Sequence, residues 1–284
     1  MTRVTAPFGR RPAALTAREE HGAYVVIRCR DAEGPAPAPG QFYMLSSAER
    51  WGGGDGERPF LPRAFSVMRA RPRTDGVDLD FLIEDVGPGT NRLAELDAGE
   101  DVLLVGPLGN GFAPPREGRT ALLAGGGVGI APLAIWQDEL GAGGTESTIL
   151  LGFRDRSHAQ GADLLHNAAV ATDDGSVGHH GLVTELLEDE LEDRSEEVEV
   201  YACGPPAMLE AVRAICAGRG VPAQLALESG MACGFGACFG CVVPTHDGYV
   251  RLCVDGPVLD AVKLADASSI GSSADAELPG TVAR

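Results

Sequence analysis

Four cysteines near the C-terminus constrain this chain more than any other feature. Cys233, Cys238, Cys241 and Cys253 fall in the run Cys-Gly-Phe-Gly-Ala-Cys-Phe-Gly-Cys and a later Arg-Leu-Cys. The first three have C-x4-C-x2-C spacing, and the fourth follows after eleven intervening residues. That is the spacing of a plant-type [2Fe–2S] site. Gly234, Gly236 and Gly240 let the chain turn sharply and bring backbone N–H groups towards cluster sulfurs. A chain that holds such a centre moves single electrons. The main rival is a structural zinc site with four cysteine ligands, but zinc ribbons use two short knuckles and here one pair is split by a long stretch. The other three cysteines, Cys29, Cys203 and Cys216, are scattered and the total of seven is odd. The N-terminus Met-Thr-Arg-Val-Thr carries no apolar signal region. Both features suit a reducing cytosol better than a disulfide framework.

The 284 residues allow two domains plus a small module, and 44% hydrophobic content supplies a sizeable core. The longest apolar stretch, Ala121 to Trp136, is broken by four glycines and a proline, so no membrane span is expected and the protein should be soluble. A net charge of −18 argues against nucleic acid as a partner, because phosphates are repelled. The single lysine is Lys263. The acidic run Glu185–Glu199 reads as a solvated helix and loop.

Residues 1–15 are polar and irregular and read as frayed. Short β-branched runs follow at Tyr24–Arg28, Gln41–Ser46, Arg63–Met68, Val77–Glu84 and Asp101–Gly106, with a glycine-rich loop at Glu49–Glu57. Such spacing predicts a small antiparallel barrel, interrupted by a helix over Asn91–Leu96. From residue 117 the pattern changes. Strands are expected at Thr120–Ala124, Ser147–Phe153 and Val198–Cys203, and helices at Pro132–Leu140, Asp163–Ala171, Leu182–Leu191 and Pro206–Ala217. This alternation predicts a parallel α/β sheet. His179-His180 read as part of a loop, not a metal pair, since adjacent side chains diverge in extended backbone. The tail after Asp266 is rich in Ser, Ala and Asp and reads as mobile.

Two strand-to-helix turns carry ligand-binding chemistry. Ala124-Gly-Gly-Gly-Val-Gly-Ile-Ala-Pro132 permits close backbone approach, and a helix N-terminus favours negative charge. Tyr201-Ala-Cys-Gly-Pro-Pro-Ala-Met208 ends a second strand, and ligands lie at the carboxyl ends of such strands. Cys203 reads as a pocket-lining thiol. In the first half, Arg63-Ala-Phe-Ser66 sets a guanidinium able to grip a diphosphate beside a ring able to cover an aromatic cofactor. Alternation puts Arg63 and Phe65 on one face. Gly87-Pro-Gly-Thr90 is a second possible phosphate cradle. Taken singly, each of these turns and strands is also explained by ordinary packing.

In combination, Arg-x-Phe-Ser, Gly-x-Gly-Thr, Gly-Gly-Gly-Val-Gly-Ile-Ala-Pro and Cys-Gly-Pro-x-x-Met stand in the order of the ferredoxin reductase-like flavoproteins, which the chain resembles over about residues 20–262. Within them, Glu228-Ser-Gly-Met-Ala-Cys-Gly-Phe-Gly-Ala-Cys-Phe-Gly-Cys, Cys253-Val-Asp-Gly-Pro-Val and Pro107-Leu-Gly-Asn-Gly-Phe112 are similar to the electron-transfer subunits of class 1B dihydroorotate dehydrogenases. The resemblance implies a multi-domain β plus α/β fold. Its parts are an antiparallel FAD-binding β-barrel over 15–115, a parallel α/β nicotinamide-binding domain over 116–222, a [2Fe–2S] cluster module over 223–264 and a flexible tail over 265–284. It implies that Arg63, Ala64, Phe65 and Ser66 line FAD, with Arg63 on the diphosphate and Ser66 near the isoalloxazine. Leu82, Ile83 and Glu84 would touch the flavin or its ribityl–adenosine part, and Gly89 and Thr90 would hold the diphosphate. Gly127, Gly129, Cys203, Gly204 and Pro205 would border the nicotinamide pocket, and Cys233, Cys238, Cys241 and Cys253 would ligate the cluster. The implied activity is electron relay in pyrimidine (UMP) biosynthesis. Electrons pass from an FMN-containing dihydroorotate dehydrogenase catalytic subunit through the cluster and FAD to NAD+, in a cytoplasmic heterotetramer of two of each subunit. No general acid or base is needed for hydride transfer between flavin and nicotinamide.

The family usually carries Arg-Pro-x-Ser, and this chain has Ala64 at the proline position. Proline stiffens a strand but brings no reactive group, so FAD binding is expected to survive the change. Iron–sulfur flavoprotein subunits of hydrogenases, sulfide dehydrogenases and ferredoxin–NADP+ oxidoreductases share the cofactor set and form the alternative. A zinc-bound, non-enzymatic assembly subunit is a third reading. NAD is expected over NADP, because Asp155 stands between Arg154 and Arg156 after the second strand and repels a 2′-phosphate.

Overall fold

The computed structural model describes residues 3–6, 8–52, 58–194 and 197–264. The expected mobile tail and residues 53–57 of the expected 49–57 loop lie outside the described residues. The first sheet contains β1 (Arg11–His21), β2 (Tyr24–Asp31), β3 (Phe42–Ser47), β4 (Arg63–Ser66), β5 (Arg69–Arg73), β6 (Gly76–Glu84) and β7 (Asp101–Leu108). All neighbours pair antiparallel in the order β4-β3-β7-β1-β2-β6-β5. The two strands at the ends of that order are consecutive in the chain. Val67 donates its N–H to Gln41 on the β3 side (3.2 Å), and Met68 donates to Asp80 on β6 (2.9 Å). The short link between β4 and β5 therefore spans the two ends of the sheet, which curls into a half-barrel.

Alternation along β6 explains the barrel wall. Val77, Leu79, Phe81 and Ile83 enter the barrel core. Asp78 and Asp80 point outward yet are buried, at 3% and 1% exposure, because arginines of the flanking strands cover them. Asp80 accepts from Arg28 (2.7 and 3.0 Å) and Arg71 (2.9 and 2.7 Å).

Two expectations in this half need correction. Residues 11–15 are not frayed but open β1. Its inward positions are Arg11, Ala13 and Leu15, a pattern too weakly apolar to read as a strand, and Arg11 is buried against Asp31 at 2.6 Å. The helix α1 (Pro88–Ala94) begins three residues before the expected Asn91. The Gly-Pro-Gly-Thr turn is itself the first helical turn, with Pro88 pre-set for it and Thr90 Oγ1 accepting from Gly87 N–H at 3.0 Å.

The second sheet is built from β8 (Thr120–Gly126), α2 (Ile130–Ala142), β9 (Ser147–Phe153), α3 (Arg156–Ala159), β10 (Ala168–Thr172), β11 (His179–His180), α4 (Val183–Arg194), β12 (Val198–Cys203), α5 (Pro206–Arg219) and β13 (Ala223–Ala226). A hairpin of β14 (Val242–Thr245) and β15 (Gly248–Arg251) follows, then α6 (Leu252–Asp255) and β16 (Val258–Asp260). The sheet order is β11-β10-β9-β8-β12-β13-β16, parallel except for β16. Its strands are apolar on both faces, as a doubly covered parallel sheet requires. Leu122, Ala124 and Val200 pack towards α4 and α5, and Ala121, Leu123 and Tyr201 towards α2. Among the described residues no helix is long and apolar enough to cross a membrane.

Three further expectations change. Asp163–Ala171 is not a helix. A 3-10 turn over Gln160–Leu164 leads into β10, which pairs with β9 from Ala168↔Ile149 to Thr172↔Phe153. Ala-Ala-Val-Ala-Thr is a short apolar run whose helical propensity yields to the open edge of β9. His179-His180 form a short strand on β10, not a loop. Strands β13 and β16 belong to the second sheet, so the expected module start at 223 falls inside that sheet.

Burial raises the Asp80 pKa, but hydrogen bonds from Arg71 and Arg28 outweigh it and hold the carboxyl below its ordinary value. The pairing therefore stabilises above the unfolded carboxyl pKa, and the contribution is lost as pH falls through the folded one. Asp80→Asn is expected to lower unfolding free energy by about 1.5–3 kcal/mol. It should also flatten the stability loss below about pH 4. Urea titrations across pH 2.5–7 measure both effects. An unchanged midpoint and slope would mean that the two guanidiniums add nothing to stability.

Candidate functional site

Three regions meet where the barrel, the second sheet and the cysteine segment join. The first is a cleft of about 160 Å³ lined by Ala64, Phe65 and Ser66 of β4, Leu82 of β6, Val128 of the glycine loop and Met231. Ser66 pairs with Phe42 across the β3–β4 ladder, which fixes its height in the cleft. Leu82 faces this cleft, whereas Ile83, the next residue of the pleat, is 0% exposed in the barrel core. Ile83 therefore presents no side chain to a ligand, contrary to expectation.

Arg63 lies against the Gly87–Thr90 turn despite its distance in sequence. A Cβ at Gly89 would fall 2.7 Å from Arg63 Nε, so glycine is what lets the guanidinium approach. Arg63 also stands 5.9 Å over the Trp51 ring. Thr90 Oγ1 accepts from Val86 N–H (2.9 Å) and donates to Gly87 O (3.0 Å), so this hydroxyl holds the turn closed. Beyond the turn lies a cavity of about 520 Å³ bordered by Arg50, Pro88, Asn91 and Arg92. Arg92 is 5% exposed and donates to Glu100 at 2.5 Å, while its Nε and Nη1 have no partner among the described residues. The apolar cleft suits an aromatic cofactor, and the separate cavity beside the turn, lined by arginines together with Asp85 and Glu95, is where cations would meet an anionic tail. Arg92 was not singled out in the sequence, since an arginine inside a helix reads as surface.

The second region is a pocket of about 570 Å³ at the carboxyl ends of β8, β9 and β12, where the strand order reverses between β8 and β12. Gly127 and Gly129 line it with Gly204, Pro205 and Met208. Gly127 has φ +54°, a region that favours glycine. Gly129 is forced to be glycine by contact, since a Cβ there would lie 2.4 Å from the Cys203 carbonyl oxygen and 2.5 Å from Gly204 N. Cys203 itself does not line the pocket. It is 1% exposed in the core facing α2, and burial pushes its thiol pKa well up. The pleat that exposes Gly204 turns Cys203 inward.

Glu228 lines both this pocket and the cleft. The residue is solvent-accessible, yet the protein packed around it desolvates the carboxyl and raises its pKa. The sequence offered no spacing or turn to mark it. On the barrel side of the pocket, Tyr24 and its cross-strand partner Glu84 meet Arg154 and His158. Glu84 thus faces this pocket and not the cleft. Asp155 caps α3 through Ser157 N–H (2.9 Å) and His158 N–H (3.1 Å) and does not reach the pocket. Arg156 points away, donating to Ser176 O at 2.5 Å.

The third region is the cysteine segment. Cys241 and Cys253 are buried with their sulfurs 3.2 Å apart, and Cys253 N–H donates to Cys241 Sγ at 3.4 Å. Cys233 faces the thiol and backbone N–H of Cys238, which is exposed and accepts from Gly240 N–H at 3.4 Å. Burial opposes ionisation of Cys233, but backbone N–H groups of Cys238, Phe235 and Ala237 outweigh it and bring its pKa to about 6. Burial and the Cys241 thiol push Cys253 up to about 12. Gly234 (φ +78°) and Gly236 (φ +88°) make the turns, and a Cβ on them would strike Met44 at 2.5 Å and Val254 at 2.6 Å. Among the described residues no three ligating side chains converge on a single metal position. The sulfurs stand as two neighbouring pairs, a donor set that suits a two-iron centre. Cys203 and Cys29 are buried in other cores, and Cys216, on α5, is buried in the core that also contains Cys241 and Cys253.

Comparison with known proteins agrees with this arrangement. Residues 228–265 match the family described as the iron-sulfur cluster binding domain of dihydroorotate dehydrogenase B. The electron transfer subunit of dihydroorotate dehydrogenase B (NAD(+)) from Desulforamulus reducens is 36% identical over 229 residues, covering 78% of this chain and 84% of that protein. The corresponding subunit from Bacillus velezensis is 36% identical over 238 residues, covering 80% and 87%. Among solved structures, an NADH-dependent reduced ferredoxin-NADP oxidoreductase described for flavin-based electron bifurcation superimposes with a TM-score of 0.75 at 25% identity, over 90% of this chain and 91% of that one. The ferredoxin reductase of carbazole 1,9a-dioxygenase shares the fold, with a TM-score of 0.63 at 24% identity, over 76% and 67%.

Gly129→Ala tests the close approach of the glycine loop to β12. The added methyl meets backbone and not a movable side chain, so the variant should lose about 1–3 kcal/mol of stability. Its nucleotide affinity should fall too, as the loop is pushed off β12. Thermal unfolding with nucleotide titration checks both. Wild-type values for the two would show that the loop is free to shift.

Proposed function

The chain belongs to the family of electron transfer subunits of dihydroorotate dehydrogenase B, and from that premise we propose how its residues share the work. It is an oxidoreductase subunit that carries FAD and a [2Fe–2S] cluster, uses NAD+ and serves pyrimidine biosynthesis beside a catalytic partner subunit. The observation that carries the residue assignments is continuity. Met231 on the cleft wall lies two residues before Cys233, and Glu228 borders both the cleft and the nucleotide pocket. These shared borders support reading the three sites as one path from the cysteine segment to the glycine loop.

In this reading Cys233 and Cys238 hold one end of the cluster and Cys241 and Cys253 the other. Arg63 and Arg92 neutralise the FAD diphosphate at the Gly87–Thr90 turn, whose shape Gly89 and Thr90 maintain. Ala64, Phe65, Ser66 and Leu82 enclose the isoalloxazine and exclude water from it. Gly127, Gly129, Gly204 and Pro205 let the nicotinamide nucleotide approach the backbone. When bound, the cluster would supply one-electron transfer towards the partner and FAD would supply hydride exchange with NAD+. The chain's own contribution is position and local charge.

The partner in this proposal is an FMN-containing catalytic subunit, two copies of each forming a heterotetramer. Phe235 and Phe239 are exposed at 44% and 63%, flank exposed Cys238, and with Phe8 form an apolar patch suited to docking. Light scattering on the co-purified complex tests the stoichiometry, and a mass of one copy of each would refute it.

An anaerobic visible spectrum before and after NADH tests the relay. Flavin and cluster bands should both bleach, and a colourless protein would end the reading. Cys238→Ser should remove the long-wavelength cluster absorption while FAD is retained; a surviving cluster signal would overturn the ligand assignment. Arg63→Ala should weaken FAD binding by roughly 1.5–3 kcal/mol, the loss of a charge-assisted contact. Flavin content after dialysis reports it, and full retention would refute the diphosphate role.

A further inference from the structure

Arg154 is the sole arginine or lysine among the described residues lining the nucleotide pocket, and a barrel residue already engages it. Its guanidinium donates to the Glu84 carboxylate. Glu84 Oε1 also lies 3.3 Å from His158 Nε2, and His158 Nδ1 lies 2.8 Å from Asp155. Glu84 has only 20% of its side chain accessible, so its charge is held at the pocket rim. Asp173, at the end of β10, adds another carboxylate to the lining.

Position in the fold says which part of a nucleotide meets this group. The glycine loop leads from β8 into α2, a 13-residue helix whose N-terminus suits a diphosphate. Arg154 follows the next strand, β9. In doubly wound sheets, charge at that place reads the adenosine ribose: a carboxylate accepts from a free 2′-hydroxyl, and an arginine accommodates a 2′-phosphate. Here the arginine is present and neutralised by a carboxylate from the other sheet.

We infer that Glu84 sets nucleotide choice: by occupying Arg154 at the end of β9, it makes the pocket accept a ribose 2′-hydroxyl and reject a 2′-phosphate. The inference rests on the nucleotide-pocket reading above. It moves the discriminating charge from Asp155, which caps α3, to Glu84, which the barrel supplies. NAD selectivity then depends on the packing of the barrel against the second sheet.

Calorimetric titration of the complete, cofactor-loaded complex with ADP-ribose and with ADP-ribose 2′-phosphate tests this without any electron transfer. Glu84→Gln should tighten binding of the 2′-phosphate probe between about threefold and tenfold, the size of one partly exposed ion pair, and leave ADP-ribose within about twofold. Adding Arg154→Ala to that variant should abolish the gain. Equal tightening of both probes would place Arg154 on the diphosphate and overturn the inference. An unchanged ratio, or a gain that survives loss of Arg154, would also overturn it. Failure of the wild-type complex to bind either probe would instead refute the pocket assignment itself.

Discussion

The geometry of the whole molecule depends on α2 being shared by two sheets. Ile130 through Trp136, and Leu140, are all buried, so this helix has no solvent stripe in its first two turns. Leu133 and Trp136 pack on the second sheet, and Ile135 joins the barrel core. Arg69 of β5 adds polar ties, to Asp138 at 3.2 Å and to Leu164 O at 2.8 Å. A helix whose first two turns are buried on every side cannot slide without opening one of two cores. The glycine loop stands at its N-terminus, so α2 sets the distance between the cleft and the pocket at the strand ends.

A net charge of −18 sits oddly with a chain whose cofactors and nucleotide all carry phosphate or sulfide. The structure reconciles these by placing guanidiniums individually. Arg63 and Arg92 stand at the Gly87–Thr90 turn, and Arg154 at the nucleotide pocket. Other arginines are consumed by carboxylates on the barrel wall, where Asp78 and Asp80 each bind two. Local pairing, not net charge, decides what each cavity accepts, since exposed charges beyond about 10 Å are largely screened.

Legibility in the sequence followed how local each signal is. The cysteine spacing and the glycine turns are local, and they located the cluster segment, the cleft and the pocket. Strand and helix boundaries in the second sheet were mostly readable because both faces of each strand are apolar. Ala168–Thr172 failed because only the open edge of the preceding strand, β9, and nothing within the segment itself, makes it a strand. Arg11–Leu15 failed because its inward positions are filled by an arginine and an alanine. Side-chain direction was the weakest inference. Cys203 and Ile83 sit in motifs that border ligands, yet the pleat turns both inwards. Glu228 and Arg92 reach the cavities only through long-range packing and leave no pattern in the sequence.

The cysteine segment is tied to both sheets, which matters for a chain that must keep three redox groups in register. Gly234 is packed against Met44 of β3, and Asn110, just after β7, donates to Val254 O (3.1 Å) and Asp255 O (2.9 Å). On the other side β16 pairs with β13, extending the second sheet. A small module anchored at one end would swing relative to its neighbours. Anchored to both, it can shift only if the barrel and the second sheet separate, and α2 opposes that separation. The exposed pair member, Cys238, is thereby held at a fixed depth from the cleft while remaining open to a partner. Rigidity of that kind keeps donor and acceptor positions set before the partner arrives, so docking need align only one surface.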